Sequence, residues 1–522
     1  MSKESVLEGV KSNSSHDSNK EGIITTASAT ALNVDAVSDD MDDAAKFLIA
    51  TAGKYDDLSE SELKKAIRKT DWILLPCLFW TATCGAVDKV SLGTAAIFGL
   101  REDTHLVGQQ YSWLSSILFI GSLVGMWPMS LLVQRYRVGK VLSICATCWS
   151  ILTLLQCACH NFAGLAAIRF LMGFFECVIV PGCSLIISVF YQKTESPHRT
   201  ALVFFFGSSV INGALSSLAS TFGDAIPTWK YIYILVGSIS FVWSSFMIYF
   251  MPDSPINAKW LNERQKVGMV KRMAENRTGV SSSTIKWDQV TEAFLDPRTY
   301  IIMLFNFGIN VPNGGLSTFN SIIIKNLQFT SVQSSLMGMP TGVIASLSTF
   351  FFTWLAARWS NRRCLLAMIS LVIPLIGAVI CFACSESNTA AQLVGLYMMY
   401  FYFASYIVML SLVQANTAGN TKKAVTYGFN YLGYCGGAIT GTQTFRAQDA
   451  PEYKNGFASL MVGYCACMCL SALYWVITIW MNRKKKKEAE NTAGIEILVD
   501  GLEEEELADV SDFKQVHFKY TT

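Results

Sequence analysis

Four ionisable residues stand where a chain this apolar has little room for charge. Asp88 and Lys89 are adjacent within Gly85-Ala86-Val87-Asp88-Lys89-Val90-Ser91-Leu92-Gly93, and Arg169 and Glu176 bracket Phe170-Leu171-Met172-Gly173-Phe174-Phe175. Seven residues separate Arg169 from Glu176, which on a helix is about two turns and puts both on one face. An ionisable group in hydrocarbon costs about 3 kcal/mol at a helix centre unless it is paired or wetted. A cation so placed can receive an anion, and a carboxylate so placed can take up a proton. The same four charges also satisfy a purely structural arrangement of two acids with two bases, Asp88 with Arg169 and the others near an aqueous mouth.

Other chemistries find little support. The five histidines, His16, His105, His160, His198 and His517, fall in tails and loops, so no catalytic cluster or His-rich metal site forms and no enzyme is expected. Seven of the fifteen cysteines, Cys145, Cys148, Cys157, Cys159, Cys465, Cys467 and Cys469, sit inside apolar runs and read as packing residues, without a metal or redox role. With a net charge of +2 and no basic domain, nucleic acid is excluded as a partner.

The elements that must position the four charges follow from composition. At 52% hydrophobic and 15% charged residues, 522 residues cannot form a soluble protein with a polar surface. Runs long enough to cross a bilayer fall near 72–96, 109–133, 140–158, 163–190, 200–221, 230–251, 299–320, 333–356, 364–384, 391–414, 424–445 and 457–481. The fold expected is all-α and polytopic, with twelve transmembrane helices. The charged stretch 252–298 divides them into six-helix halves, 66–251 and 299–481. Short basic connectors recur at the same place in each half, Gln134-Arg135-Tyr136-Arg137-Val138-Gly139-Lys140 and Ala357-Arg358-Trp359-Ser360-Asn361-Arg362-Arg363, the trace of an internal duplication.

Both connectors, Lys193, Arg199, Lys422, Lys423 and the run Arg483 to Lys487 assign their side to the cytosol, with both termini. Residues 1–65 are expected to be a disordered or partly helical cytosolic tail, and 482–522 a cytosolic tail whose Glu503 to Glu506 make it a solvated acidic segment. The 252–298 segment predicts a helix pair that braces the halves, with Leu261, Val267, Val270 and Met273 on one face.

Softer polar positions lie in the second half. Asn313 with Gly314 and Gly315 either breaks span seven and exposes carbonyls to a cavity or provides a glycine-mediated helix contact. Phe319, Gln414, Asn416, Asn430 and Gln443 are further cavity candidates, each taken singly fitting packing or helix pairing better than ligand contact. Gly433, Gly436, Gly437 and Gly441 are spaced for close helix approach, and no strand precedes them to make a nucleotide loop.

From about residue 70 to 482 the sequence resembles the major facilitator superfamily (MFS), specifically the anion:cation symporter group and its fungal allantoate permease branch. Asp88-Lys89, Arg169-Phe170-Leu171-Met172-Gly173 with Glu176 and Pro181-Gly182, and Met251-Pro252-Asp253-Ser254-Pro255 with Trp260-Leu261 and Glu263-Arg264 carry the likeness in the first half. Asn313-Gly314-Gly315 with Phe319, Asn416-Thr417-Ala418-Gly419 with Thr421-Lys422-Lys423, and Ala450-Pro451 with Tyr453 carry it in the second.

The resemblance implies two six-helix bundles, alternating access, and proton-driven symport of a small organic anion, a carboxylate such as allantoate or a vitamin acid. It implies that Asp88 pairs with Arg169, that Lys89 holds the substrate carboxylate, and that Glu176 takes the coupled proton. Lys89 stands where most of the wider group has Arg, so the headgroup is met by a point charge instead of a planar fork. Gating through the connectors, at Arg135, Gly139, Lys140, Arg358 and Arg362, is implied more weakly, because only Arg135, Gly139 and Lys140 match the superfamily's first connector. Asn313, Phe319, Gln414 and Asn416 complete the expected substrate site. The partners expected are the anion, protons and the lipid bilayer, with no cofactor beyond the proton gradient and a monomeric state. The plasma membrane is the expected location, with the endoplasmic reticulum or vacuole as alternatives. Export, uniport and a non-transporting nutrient sensor on the same fold are the rival readings.

Overall fold

The computed structural model describes residues 58–492 except 193–194, 204–206, 224, 276–285, 360 and 385–387, together with 511–515, 518–522 and scattered positions between 47 and 55. The expected disorder of residues 1–46 and the acidic run Glu503 to Glu506 lie outside the described residues.

Among the described residues, helix extends through each of the twelve apolar runs. Spans one to six are Glu60–Ile97, Gln110–Arg135, Val138–Leu155, Phe162–Glu176 continuing as Ile179–Phe190, Ser196–Val203 with Ser208–Ala219, and Thr228–Phe250. Spans seven to twelve are Pro297–Asn326, Ser331–Arg358, Arg363–Ala383, Thr389–Met399 with Tyr402–Asn416, Asn420–Thr444 and Lys454–Thr492. Among the described residues, nine of the twelve are long and apolar enough to cross a membrane on composition alone. Span five is described as two pieces too short to count, of 8 and 12 residues, while spans seven and eleven carry polar and glycine residues of the interior, Asn306, Asn310, Asn430 and Thr442 among them.

Span one begins earlier than its apolar run. Ser59 caps it, accepting from the Glu62 N–H while the Glu62 carboxylate accepts from the Ser59 N–H, a reciprocal box that starts a helix in polar sequence. The charged first turns thus extend beyond the hydrocarbon.

Span seven is one unbroken helix of 30 residues, so of the two readings of Asn313-Gly314-Gly315 the helix break does not hold and the glycine-mediated contact does. The glycines serve approach: a Cβ on Gly314 would lie 2.1 Å from the Ala438 carbonyl, and one on Gly437 or Gly441 would strike the Phe307 or Val311 carbonyl at 2.1 and 2.0 Å. Spans seven and eleven therefore pack backbone to backbone, a use of small residues that suits a membrane interior.

Between the halves, span one meets seven, two meets eleven, and five meets eight. On the face opposite the basic connectors these seams are closed by hydrogen bonds. Tyr111 donates to the Thr318 carbonyl at 2.8 Å, the Ser115 and Thr318 hydroxyls pair at 2.8 Å, and Ser116 pairs with Thr442 at 2.6 Å. Lys325 and Ser331 both donate to the Ile97 carbonyl at 2.7 Å, and Ser216 bonds Ser335. Between described residues, hydrogen bonds crossing the halves lie at this seal or at Lys89, and none lies nearer the connectors.

The helix pair expected in the 252–298 segment is present as Glu263–Glu275 and Trp287–Leu295. The first packs on spans one and four, with Met269 its deepest residue, and the second on spans seven and eleven. Each helix thus sits on its own half.

Candidate functional site

Span four is helical to Glu176 and resumes at Ile179, leaving a break at the carboxylate. Pro181, which has no N–H to give to a carbonyl four residues earlier, suits that break. Gly85 lets span one approach it: a Cβ there would lie 3.1 Å from the Ile179 Cδ1 and 3.9 Å from the Glu176 Oε1. Gly173 similarly admits span two, since its Cβ would fall 1.9 Å from the Leu118 carbonyl.

All four charges meet in this crossing. Lys89 Nζ lies 2.8 Å from Glu176 Oε1, and Arg169 Nη1 lies 3.7 Å from Asp88 Oδ2. The pairs differ in access. Asp88 and Arg169 are closed off, with side chains 0% and 2% exposed, while Lys89 is 30% exposed and Glu176 7%. The inner pair is also loose: neither Asp88 oxygen accepts a hydrogen bond among the described residues, and Arg169 donates instead to the Tyr233 hydroxyl at 3.0 Å. Coulomb attraction without a direct hydrogen bond is a weak return for burying a carboxylate.

Lys89 also reaches the other half. Its ammonium donates to the Tyr434 hydroxyl of span eleven at 3.4 Å and lies 5.8 Å from the Phe119 ring centroid and 6.0 Å from that of Tyr434. The seal beyond it leaves the basic face as the side from which Lys89 is reached.

In the second half the polar groups along the middle of span seven are neutral. Asn313 Nδ2 donates to Asn310 Oδ1 at 3.0 Å, Asn310 donates to the Asn306 carbonyl at 2.8 Å, and Asn306 bonds Asn430. The Tyr402 hydroxyl of span ten donates to Asn313 Oδ1 at 3.1 Å. Asn313 thus stands at the end of an amide ladder on span seven.

The remaining sequence candidates are elsewhere. Phe319 stacks on Phe445 and meets Tyr111 and Tyr453 in the seal, 3% exposed. Asn416 exchanges hydrogen bonds with the Thr521 backbone and donates to Tyr474, so its amide is committed at the basic end of span ten. Neither joins Lys89. Gln414 is exposed on the same helix, and Gln443 donates to Ser116 in the seal. Of the five connector residues expected to gate, Gly139 has a cross-element hydrogen bond among the described residues, its N–H donating to Asp253 Oδ1 at 2.9 Å. Arg135, Lys140, Arg358 and Arg362 are exposed, with no ion pair among the described residues.

Sequence reasoning missed Tyr233, Tyr402, Tyr434 and the Asn306–Asn310 ladder. The asparagines at 306, 310 and 313 carry a periodic signal, three or four residues apart on one helix. Nothing separates the three tyrosines from the other sixteen in the chain.

A twelve-helix, two-bundle membrane protein with paired charges buried in its first half and a seal on one face defines a secondary transporter. Residues 78–442 match the model of the Major Facilitator Superfamily, and the chain belongs to that family.

The chain is 33% identical over 508 residues to the MFS-type transporter cnsL of Penicillium expansum, covering 97% of this chain and 98% of the relative. It is 28% identical over 520 residues to the allantoate permease of Saccharomyces cerevisiae, covering 97% and 94%. A thiamine pathway transporter, THI73 of the same yeast, is 28% identical over 87% of this chain and 86% of its own. Among solved structures, the inward-open xylose transporter XylE of E. coli superposes with a TM-score of 0.60 at 12% identity, covering 78% of this chain and 96% of XylE. That likeness concerns the fold.

Proposed function

We propose that this MFS transporter carries a small organic anion, a carboxylate, together with a proton by alternating access. The observation that carries the reading is the Lys89–Glu176 pair at 2.8 Å, which charge balance turns into a coupling device. With Lys89 protonated and Glu176 ionised, the pair is neutral. An anion that takes the ammonium adds one negative charge to a site already holding Glu176 without its partner. Uptake of a proton by Glu176 restores neutrality, and in a low-dielectric interior that restoration is worth several kcal/mol, on the order of the cost of an unpaired buried ion. Anion and proton then enter together or not at all.

Asp88 and Arg169 hold the frame beside this exchange, and Tyr434 gives the opposite bundle a contact with Lys89 that an arriving substrate displaces. The amide ladder ending at Asn313 and Tyr402 offers neutral donors and acceptors for the rest of the molecule. The names of the allantoate permease relative and of the thiamine pathway transporter fit a role in nutrient transport. In this reading the protein works as a monomer in the plasma membrane with its basic face cytosolic, and the closed opposite face makes the conformation inward-facing.

Uptake by cells expressing the chain, screened over labelled carboxylates at acidic and neutral external pH, tests the reading. Acid-stimulated uptake that disappears in Lys89→Ala is the expected result. Uptake of a carboxylate indifferent to external pH would overturn coupling.

A further inference from the structure

The acidic tail, expected to be solvated throughout, is docked where it is described. Asp512 lies against Arg298 Nη2 at 2.6 Å and Lys422 Nζ at 2.7 Å, with no exposed side-chain area, and accepts from the Tyr520 hydroxyl at 2.9 Å. Lys485 of span twelve donates to the Asp512 and Gln515 carbonyls. Asn482 and Tyr520 exchange two hydrogen bonds at 2.9 Å, and Asn416 and Thr521 exchange two at 2.7 and 2.8 Å. Arg363 N–H donates to the Thr522 carbonyl at 2.8 Å. The Arg298 guanidinium lies 4.1 Å from the Tyr520 ring centroid and the Lys422 ammonium 3.5 Å from that of Phe513.

The first half has a matching cluster. Arg199 clamps Asp71 of span one with two hydrogen bonds at 2.7 and 2.9 Å and lies 3.4 Å from Glu195, which Arg272 of the helix after span six meets at 2.6 Å. Arg199 and Lys422 stand 223 residues apart, the same offset as the basic connectors that begin at 134 and 357. In each half, the start of the fifth helix, the start of the first, and a segment trailing the sixth therefore share one charge cluster.

We propose that the described tail residues, 511–515 and 518–522, are the strap of the C-terminal bundle, an anionic ligand that binds in cis to the notch of Arg298 and Lys422 and ties the basic-face ends of spans seven, nine, ten, eleven and twelve into one body. The segment after span six performs the same task for the N-terminal bundle with the charge reversed, delivering Arg272 where the tail delivers Asp512. The duplicated unit is then six spans plus a trailing cis ligand. Without Asp512 the notch holds two cations against Asp296 alone, an excess of positive charge with little water to screen it.

A double-substitution cycle on the purified full-length chain tests this without a transport substrate. Asp512→Asn and Lys422→Met are each expected to lower the melting temperature by at least about 5 °C, and the double variant to recover at least half of the larger loss. Trypsin release of the tail beyond Lys514 in intact membranes should quicken about tenfold in Asp512→Asn. If either single variant is too unstable to purify, recovery of folded protein in the double variant carries the same meaning. Singles that melt with the parent, losses that simply add in the double, or a tail equally cleavable in parent and variant would overturn the strap.

Discussion

The two bundles divide the chemistry between them. The N-terminal bundle buries Asp88, Lys89, Arg169 and Glu176 in its first and fourth spans, while the C-terminal bundle lines the corresponding depth with Asn306, Asn310, Asn313 and Tyr402. Duplication supplied the same helical frame twice, and at this depth only one copy carries charge; the buried charges of the other, Asp296, Arg298 and Lys422, lie at its basic-face end. Energetics account for the asymmetry. A buried ion must be paired or neutralised, which makes the charged copy responsive to protons and anions, whereas amides and phenols satisfy one another at any physiological pH. In the proposed mechanism one half couples and the other recognises shape and hydrogen bonding.

The largest effect expected from breaking this division is at Lys89. Lys89→Ala leaves Glu176 without its cation and removes the anion's receptor, so uptake should fall at least about a hundredfold, the equivalent of roughly 3 kcal/mol. Surface expression measured beside uptake separates this from misfolding, and Lys89→Arg, which keeps the charge, should retain part of the activity. Next comes the inner pair. Arg169→Met strands the Asp88 carboxylate and should cost about 3–5 kcal/mol of stability, visible as a lower melting temperature, with Asp88→Asn in the same chain restoring much of it.

The neutral half should behave differently. Asn313→Ala or Tyr402→Phe removes one neutral hydrogen bond, worth about 1 kcal/mol, so KM should rise roughly fivefold while the pH dependence of uptake stays that of the parent. A change in pH dependence from either variant would erase the division of labour. The smallest effect belongs to the seal: Ser116→Ala loses its bonds to Thr442 and Gln443 and should shift the balance towards the outward-open state by about 1 kcal/mol, read as increased labelling of a cysteine introduced at Thr318.

Much of this was legible in the sequence, and the exceptions have physical reasons. Most of the spans follow from apolar length, nine of the twelve among the described residues, because nothing but a helix satisfies its backbone in lipid. The site charges were legible because charge in a span is costly and therefore conspicuous. Which ones pair was only half legible: the Asp88–Arg169 partnership follows from counting acids and bases, but the close approach of Lys89 to Glu176 depends on Gly85 and the break after Glu176. Asn416 and Phe319 were read as cavity residues because polarity and aromaticity at a helix end do not reveal which neighbour consumes them. The Thr521 backbone and the Phe445 ring do so here. Span seven stays whole because its glycines face the carbonyls of span eleven while its own helical bonds persist. The tail was illegible as structure because it carries no periodic signal, and partners such as Arg298 for Asp512, Asn416 for Thr521 and Asn361 for Thr522 stand more than 100 residues away.

Proton movement itself tests the central claim most directly. In a weakly buffered suspension of cells expressing the chain, adding a transported carboxylate should make the medium alkaline in step with uptake. Glu176→Gln should abolish both the alkalinisation and net accumulation while leaving exchange of labelled for unlabelled substrate intact. Accumulation without alkalinisation, or alkalinisation that persists in Glu176→Gln, would contradict the assignment of proton coupling to the Lys89–Glu176 pair.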